Sequence, residues 1–171
     1  GKNKKRIIFH APTRGLMGYT SRFLTLTKGN GVINRIFHSF GKYTGDLDGR
    51  RNGALISMAS GKAVAFAIFN LQSRGEMFVT HNDPVYEGMI VGLASKSGDL
   101  EINVMKGKQL TNMRTQGTDE NVVLTPVRTM SIAEQLSMLN MDEALEITPK
   151  SLRLRKSMLN PHDRKRKSKA S

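Results

Sequence analysis

The stretch G-K-Y-T-G-D-L-D-G-R-R-N-G, residues 41 to 53, is rich in Gly and Asp and carries no hydrophobic periodicity. Such a run marks a boundary, because Gly and Asp favour turns over helical faces or strand ladders. The chain must therefore fold as two units, residues 1–45 and residues 46–171. It begins at Gly1 without Met and is read as a piece of a longer protein.

Before the break, the pattern predicts strand, helix, strand. Arg6 to His10 is a short β-type run, Pro12-Thr13 supplies a stop and an N-cap, and Leu16, Tyr19, Phe23 and Leu26 recur at helical spacing. That spacing predicts a helix of about four turns. Gly29 and Gly31 end it, since Gly accepts the left-handed backbone of a helix C-terminus. Val32 to Phe40 resumes as a strand, and this unit cannot complete a sheet alone. Its open edge requires a cover: the following domain, a neighbouring molecule or a dimer partner.

After the break the signals are mostly β. Ala54 to Ala59 and Lys62 to Ile68 flank Ser60-Gly61, the composition of a tight hairpin turn. Phe69 to Arg74 reads as one helical turn. Met77 to Thr80, Tyr86 to Leu93, Leu100 to Met105 and Val122 to Leu124 read as further strands. Ser131-Ile132-Ala133-Glu134 matches a capping box opening a short amphipathic helix through Ile132, Leu136 and Leu139. Leu145 to Ile147 and Leu152 to Arg155 form a hairpin in which Leu152 and Leu154 face inward and Arg153 and Arg155 outward. From about residue 160 a basic tail, D-R-K-R-K-S-K, offers nothing to bury.

Charge narrows the partners. The net charge is +13, and residues 150 to 171 hold nine Lys or Arg against Asp163 alone. An excess of this size points to a polyanion, nucleic acid or an anionic surface. The longest apolar run, Ala63 to Phe69, is too short to span a bilayer, so no membrane role is expected. No Cys is present, which removes disulfides and thiol nucleophiles. The K-G-N-G at 28 to 31 lacks the Walker A pattern and reads as a helix stop. His10, His38, His81 and His162 are scattered; His10 and His38 suit a structural pair on adjacent strands rather than a metal site. Asp46 and Asp48 read as turn residues, and no nucleophile, base and orienter set stands out.

One segment fits no periodicity. Met105 to Thr118 holds Lys106, Lys108 and Arg114, no acid, and hydrogen-bonding groups at Gln109, Thr111, Asn112, Thr115 and Gln116. Long basic side chains neutralise phosphates, while amides and hydroxyls reach sugar edges and bases. Unstructured loops of more than ~12 to 15 residues are uncommon in compact domains and tend to be functional or disordered. The segment is read as an RNA-binding loop, with Asp119 and Glu120 marking the return to the scaffold. Arg153, Arg155 and Lys156 extend that surface, and Arg50 and Arg51 either join it or are simply solvated. The tail acts as an electrostatic tether.

At this point a resemblance is evident. G-Y-T-S-R-F-L-T-L-T-K-G-N-G followed by F-H-S-F resembles the last strand-helix-strand of elongation factor G domain V. D-G-R-R-N-G-A-L-I-S, V-Y-E-G-M-I-V-G, D-L-E-I-N-V-M-K-G-K-Q-L-T-N-M-R-T-Q-G-T-D-E and T-P-K-S-L-R-L-R-K resemble the C-terminal domain of the BipA/TypA translational GTPases. The resemblance implies an α+β fold: half a ferredoxin-like βαβ unit, then a β-rich, barrel-like domain with a short helix and a long basic loop. It implies no enzymatic activity for these residues, because GTP and Mg would belong to an N-terminal domain absent here. It further implies ribosome binding, with large-subunit ribosomal RNA and A-site transfer RNA as partners, in stress-responsive translation and large-subunit assembly. The setting would be bacterial cytoplasm or plastid stroma. Members of the family often carry a second Lys where this chain has Gln109, so hydrogen bonding replaces charge there. A protein-interaction module for an acidic ribosomal or regulatory protein is the alternative.

Overall fold

The computed structural model describes residues 5–43, 45, 50–107 and 123–170. Helix α1 (Tyr19–Leu26) follows a 3₁₀ turn, Thr13–Leu16, and is shorter than the four turns expected. Gly18 breaks the pattern by adopting a left-handed conformation, φ 67°, at the helix start. The C-terminal stop falls as expected, with the Gly29 amide donating to the Leu24 carbonyl at 2.8 Å and Gly29 at φ 79°. Arg6 to His10 and Val32 to Phe40 are not hydrogen-bonded strands, contrary to expectation. In a split βαβ the two strands need further strands to complete the ladder, and residues 5–43 do not supply them. The apolar side chains stay in solvent, Ile36 at 91% and Phe40 at 95% exposure. The β-rich unit does not cover them. It meets instead the start of α1, where a Cβ on Gly18 would lie 2.8 Å from Ser137 Oγ.

The β-rich unit is built on a four-stranded sheet, with β1 (Ala54–Ser57), β3 (Gly75–Met77), β5 (Ile90–Ala94) and β6 (Leu100–Ile102) in the order β3-β5-β1-β6. β1 is antiparallel to β5 and parallel to β6. All four residues of β1 are buried, as expected of a central strand covered on both faces. β2 (Gly61–Lys62) pairs with β4 (Pro84–Val85), so the hairpin expected around Ser60-Gly61 does not form. Ala65–Leu71 is helix α2 and runs on into a 3₁₀ turn at Gln72–Arg74, so Ala65 to Ile68 is helix where a strand is expected, while the helical turn expected over Phe69 to Arg74 forms. A short run apolar on every position carries no period to separate the two states, and its alanines favour helix. Burial of Ala67 and Ile68 fixes the inward face. Val123 and Leu124 carry no strand, and Val122 lies outside the described residues.

The capping box forms as expected. At α3 (Ile132–Ser137) the Glu134 amide donates to Ser131 Oγ at 3.3 Å, and the Ser131 amide donates to Glu134 Oε2 at 2.9 Å. The last hairpin, β7 (Glu143–Ile147) and β8 (Leu152–Lys156), also forms, one or two residues longer than expected at its open end. The basic tail is a helix, α4 (Pro161–Ala170). Pro161 sits at the first helical position, Asn160 Oδ1 accepts from the His162 amide at 2.8 Å, and Arg164 pins the helix to Glu101 at 2.9 Å.

One core cluster gathers Leu55, Ile68, Val79, Val91, Ile102 and Val104 between the sheet and α2. A smaller one joins Ala54, Ile56, Ile90 and Leu154 beneath the last hairpin.

Candidate nucleic-acid interface

The unpatterned segment leaves the core from a firm base. Val104 is fully buried, and Met105 packs on the main cluster, close enough to Gly61 that a Cβ there would lie 2.4 Å from its sulfur. The Met105 amide donates to Asn103 Oδ1 at 2.9 Å, a local turn that directs the chain outward. Lys106 follows, exposed. On the return side Leu124 packs on the same cluster, and Gln72 Nε2 donates to the Thr125 carbonyl at 3.3 Å. Lys108, Gln109, Thr111, Asn112 and Arg114 lie outside the described residues.

Arg153 and Arg155 stand on β8, half-buried rather than fully outward. Arg153 Nη1 lies 3.2 Å from Glu146 Oε1 and Arg155 Nε 4.0 Å from Glu146 Oε2. Tyr86 donates its phenolic proton to the same carboxylate at 2.7 Å. That bond, followed by Arg153, holds the Glu146 carboxyl below its ordinary range although burial opposes it. Burial first, and the Glu146 anion second, push the Tyr86 phenol up to about 12. One carboxylate thus offsets part of the charge of two guanidinium groups.

Lys156 requires a correction. It is 1% exposed, and its ammonium donates to Asp142 at 2.8 Å and Glu143 at 2.8 Å and lies 2.5 Å from Asp99. Burial alone would depress its pKa, but the three carboxylates raise it above the ordinary lysine value. Arg50 is likewise not a surface residue. Its guanidinium grips Glu143 bidentately, sits 3.5 Å from Asp99 and donates to the Met138 carbonyl at 3.1 Å. Asp99 and Glu143 are both held below their ordinary carboxylate values: burial opposes this, and the Ala54 amide and Lys156 at Asp99, and Arg50 and Lys156 at Glu143, outweigh it. Three anions around two cations make a structural network of net negative charge that occupies the Lys156 ammonium. The signal was present in the sequence: Lys156 shares strand parity with Leu152 and Leu154, and faces Glu143 in register.

The exposed cations lie elsewhere. Lys165, Arg166, Lys167 and Lys169 project from α4, and Lys150 from the turn of the last hairpin. His10 and His38 meet, with ring centroids 4.2 Å apart. Among the described residues no helix is long and apolar enough to cross a membrane.

Comparison with known proteins adds two family matches. Residues 52–161 match the TypA/BipA C-terminal domain, and residues 1–51 match the elongation factor G C-terminus. Similar curated proteins are called large ribosomal subunit assembly factor BipA. The protein of Escherichia coli strain K12 is 46% identical over 171 residues, 99% of this chain. That of Salmonella typhimurium is 46% identical over 167 residues, 97% of this chain, and that of Bacillus subtilis 44% identical over 170 residues, 99% of this chain. The chain spans 28% of the length of each of these relatives.

Proposed function

We propose, for a chain that belongs to the TypA/BipA family, a ribosome-docking function carried by the basic segment that follows β6. Lys106, Lys108 and Arg114 would neutralise phosphates of large-subunit ribosomal RNA and of A-site transfer RNA, while Gln109, Thr111 and Asn112 hydrogen-bond sugars and bases. Arg153 and Arg155 would flank this contact, and Lys156 has no part in it. The observation that carries the reading is the contrast within the segment: three cations and no acid from Met105 to Thr118, on a stem seated in the core by Met105 and Leu124. The name of the relatives, large ribosomal subunit assembly factor, supports the ribosome as partner.

In the parent protein this unit would serve a translational GTPase whose GTP and Mg are held by the N-terminal part. Its setting would be stress-responsive translation and large-subunit assembly in the bacterial cytoplasm or a plastid stroma. The apolar segments of the half plait would pair with further parent chain or a second copy.

Salt titration of binding to large ribosomal subunits tests the docking. Each phosphate contact contributes about 0.9 to the log-log slope, so the Lys106→Ala/Lys108→Ala/Arg114→Ala variant should flatten it by roughly 2 to 3. An unchanged slope and affinity would assign docking to another surface, with an acidic protein as the partner.

A further inference from the structure

The positive charge of the chain is not spread over the β-rich unit. Residues 46–149 hold nine Lys or Arg and thirteen Asp or Glu, whereas residues 150–171 hold nine cations against Asp163 alone. Among those nine, Lys156 is buried, Arg153 and Arg155 share Glu146, and Arg164 is taken by Glu101. The cations that remain outward are concentrated on α4.

That helix is seated on the β-rich unit. Leu159, just before it, lies against Gly88, where a Cβ would come within 2.7 Å of the Leu159 Cα. Asn160 caps the first turn, and the Arg164 guanidinium donates to Glu101 at 2.9 Å and to the Met158 carbonyl at 3.0 Å. Arg164 thereby fixes the inward face. At about 3.6 residues per turn, Arg166 and Lys169 fall on the opposite face with Lys165 beside them. The Arg166 side chain is 85% exposed, with Asp163 3.7 Å away, and no ion pair holds Lys165 or Lys169 among the described residues. Like charges at this spacing repel and weaken a helix, and a ten-residue helix is marginal in water on its own. An anion along the outer face relieves that repulsion, so its binding and the helical state of α4 are linked.

The residue types select the anion. α4 has no apolar stripe with which to enter a bilayer surface. It has none of the large aromatic anchors that dominate protein interfaces, and no Phe, Tyr or Trp on which unpaired bases stack. A face of cations alone suits double-helical RNA, whose deep groove hides the bases and whose backbone is met through phosphate contacts and shape. We propose that α4 is a seated arm whose outer face, Lys165, Arg166 and Lys169, binds the phosphates of double-helical RNA without regard to sequence. The inference takes its class of partner from the ribosomal reading above but uses none of the residues of the segment after β6.

The test uses the 171-residue chain and fluorescein-labelled RNA duplexes of differing sequence, beside a single strand, phosphatidylglycerol vesicles and polyglutamate. The variant Lys165→Gln/Arg166→Gln/Lys169→Gln keeps good helix formers at exposed positions and should flatten the log-log salt slope for the duplex by roughly 2 to 3. Duplexes of differing sequence should bind alike and should slow hydrogen exchange at the α4 amides. Glu101→Gln separates a seated arm from a loose tether, because it raises the net charge by one while removing an anchor. It should weaken duplex binding several-fold. Tighter binding in that variant, an unchanged slope in the triple variant, or no protection of α4 overturns the arm. Displacement of the duplex by the single strand, the vesicles or polyglutamate at equal charge overturns the choice of double-helical RNA. If the triple variant loses duplex binding while the segment variant keeps large-subunit binding, the arm stands and the docking assignment fails. The reverse result removes the arm and leaves docking to the segment.

Discussion

Residues 5–43 and residues 54–160 obey the same chemistry and reach opposite outcomes. In the second region every strand of the main sheet is paired, and Leu55, Val91 and Val104 are fully buried. In the first, the segments with the strongest β character, around Ile8 and Ile36, have no ladder and stand in solvent. Local propensity is comparable in the two. What differs is whether a neighbour exists to take up the backbone groups and the apolar faces, so sheet formation here is decided by pairing and not by composition. Charge anchors the start of the second region: Arg50, just past the linker, reaches Glu143 and Asp99.

The largest effect should come from breaking that charge network. Lys156→Ala leaves Asp99, Asp142 and Glu143 with Arg50 as their one remaining cation, and loss of one partner of a buried ion network costs about 3 to 5 kcal/mol. Urea unfolding followed by far-UV circular dichroism should show the loss as a lower midpoint of the main transition. A change under about 1 kcal/mol would mean that water replaces the ammonium and that the network is not truly buried.

The same network predicts a pH profile. Asp99 and Glu143 are lowered from ordinary values of 3.8 and 4.5, so their contribution is complete above the unfolded values and disappears as pH falls through the folded ones. Lys156 is raised above 10.5, so its contribution is complete below that value and is lost as pH rises past the folded one. The urea midpoint should accordingly be flat between these limits and fall on the acid side below about pH 4. In Lys156→Ala the acid limb should become shallower, because Asp99 and Glu143, left with Arg50 as their cation, lose less on protonation.

How much of this was readable in the sequence follows the same division. The capping box at Ser131, the Gly29 stop and the last hairpin are local patterns with local causes, and they formed as read. Ala65 to Ile68 is helix although its sequence reads as strand, because the choice depends on the sheet it covers. The helix of the tail has no apolar period to announce it, and one of its anchors is Glu101, sixty-three residues earlier. Lys156 was misplaced through neglect of strand parity, a legible signal, whereas Arg50 depends on contacts with residues 99 and 143 that no local pattern displays.

A smaller effect should follow from Ser131→Ala. It removes one half of the reciprocal cap on α3, for about 1 kcal/mol, and the structure places this helix where the half plait meets the β-rich unit through Gly18. If that contact matters to residues 5–43, hydrogen exchange in α1 should accelerate together with exchange in α3. Acceleration confined to α3 would make the two regions independent.

Phe40→Ser should have the smallest effect and sharpens the contrast most directly. Phe40 is 95% exposed, so within this chain the substitution should alter stability by no more than about 0.5 kcal/mol. If the face is covered in the longer parent protein, the same substitution there should approach the ~3 to 5 kcal/mol typical of truncating a buried Phe. Melting both proteins with and without the substitution measures the difference, and a large shift in the parent alone would identify the neighbour as preceding chain. A small shift in both would mean that the face remains open, and concentration-dependent melting of the 171-residue chain would then reveal whether a second copy closes it.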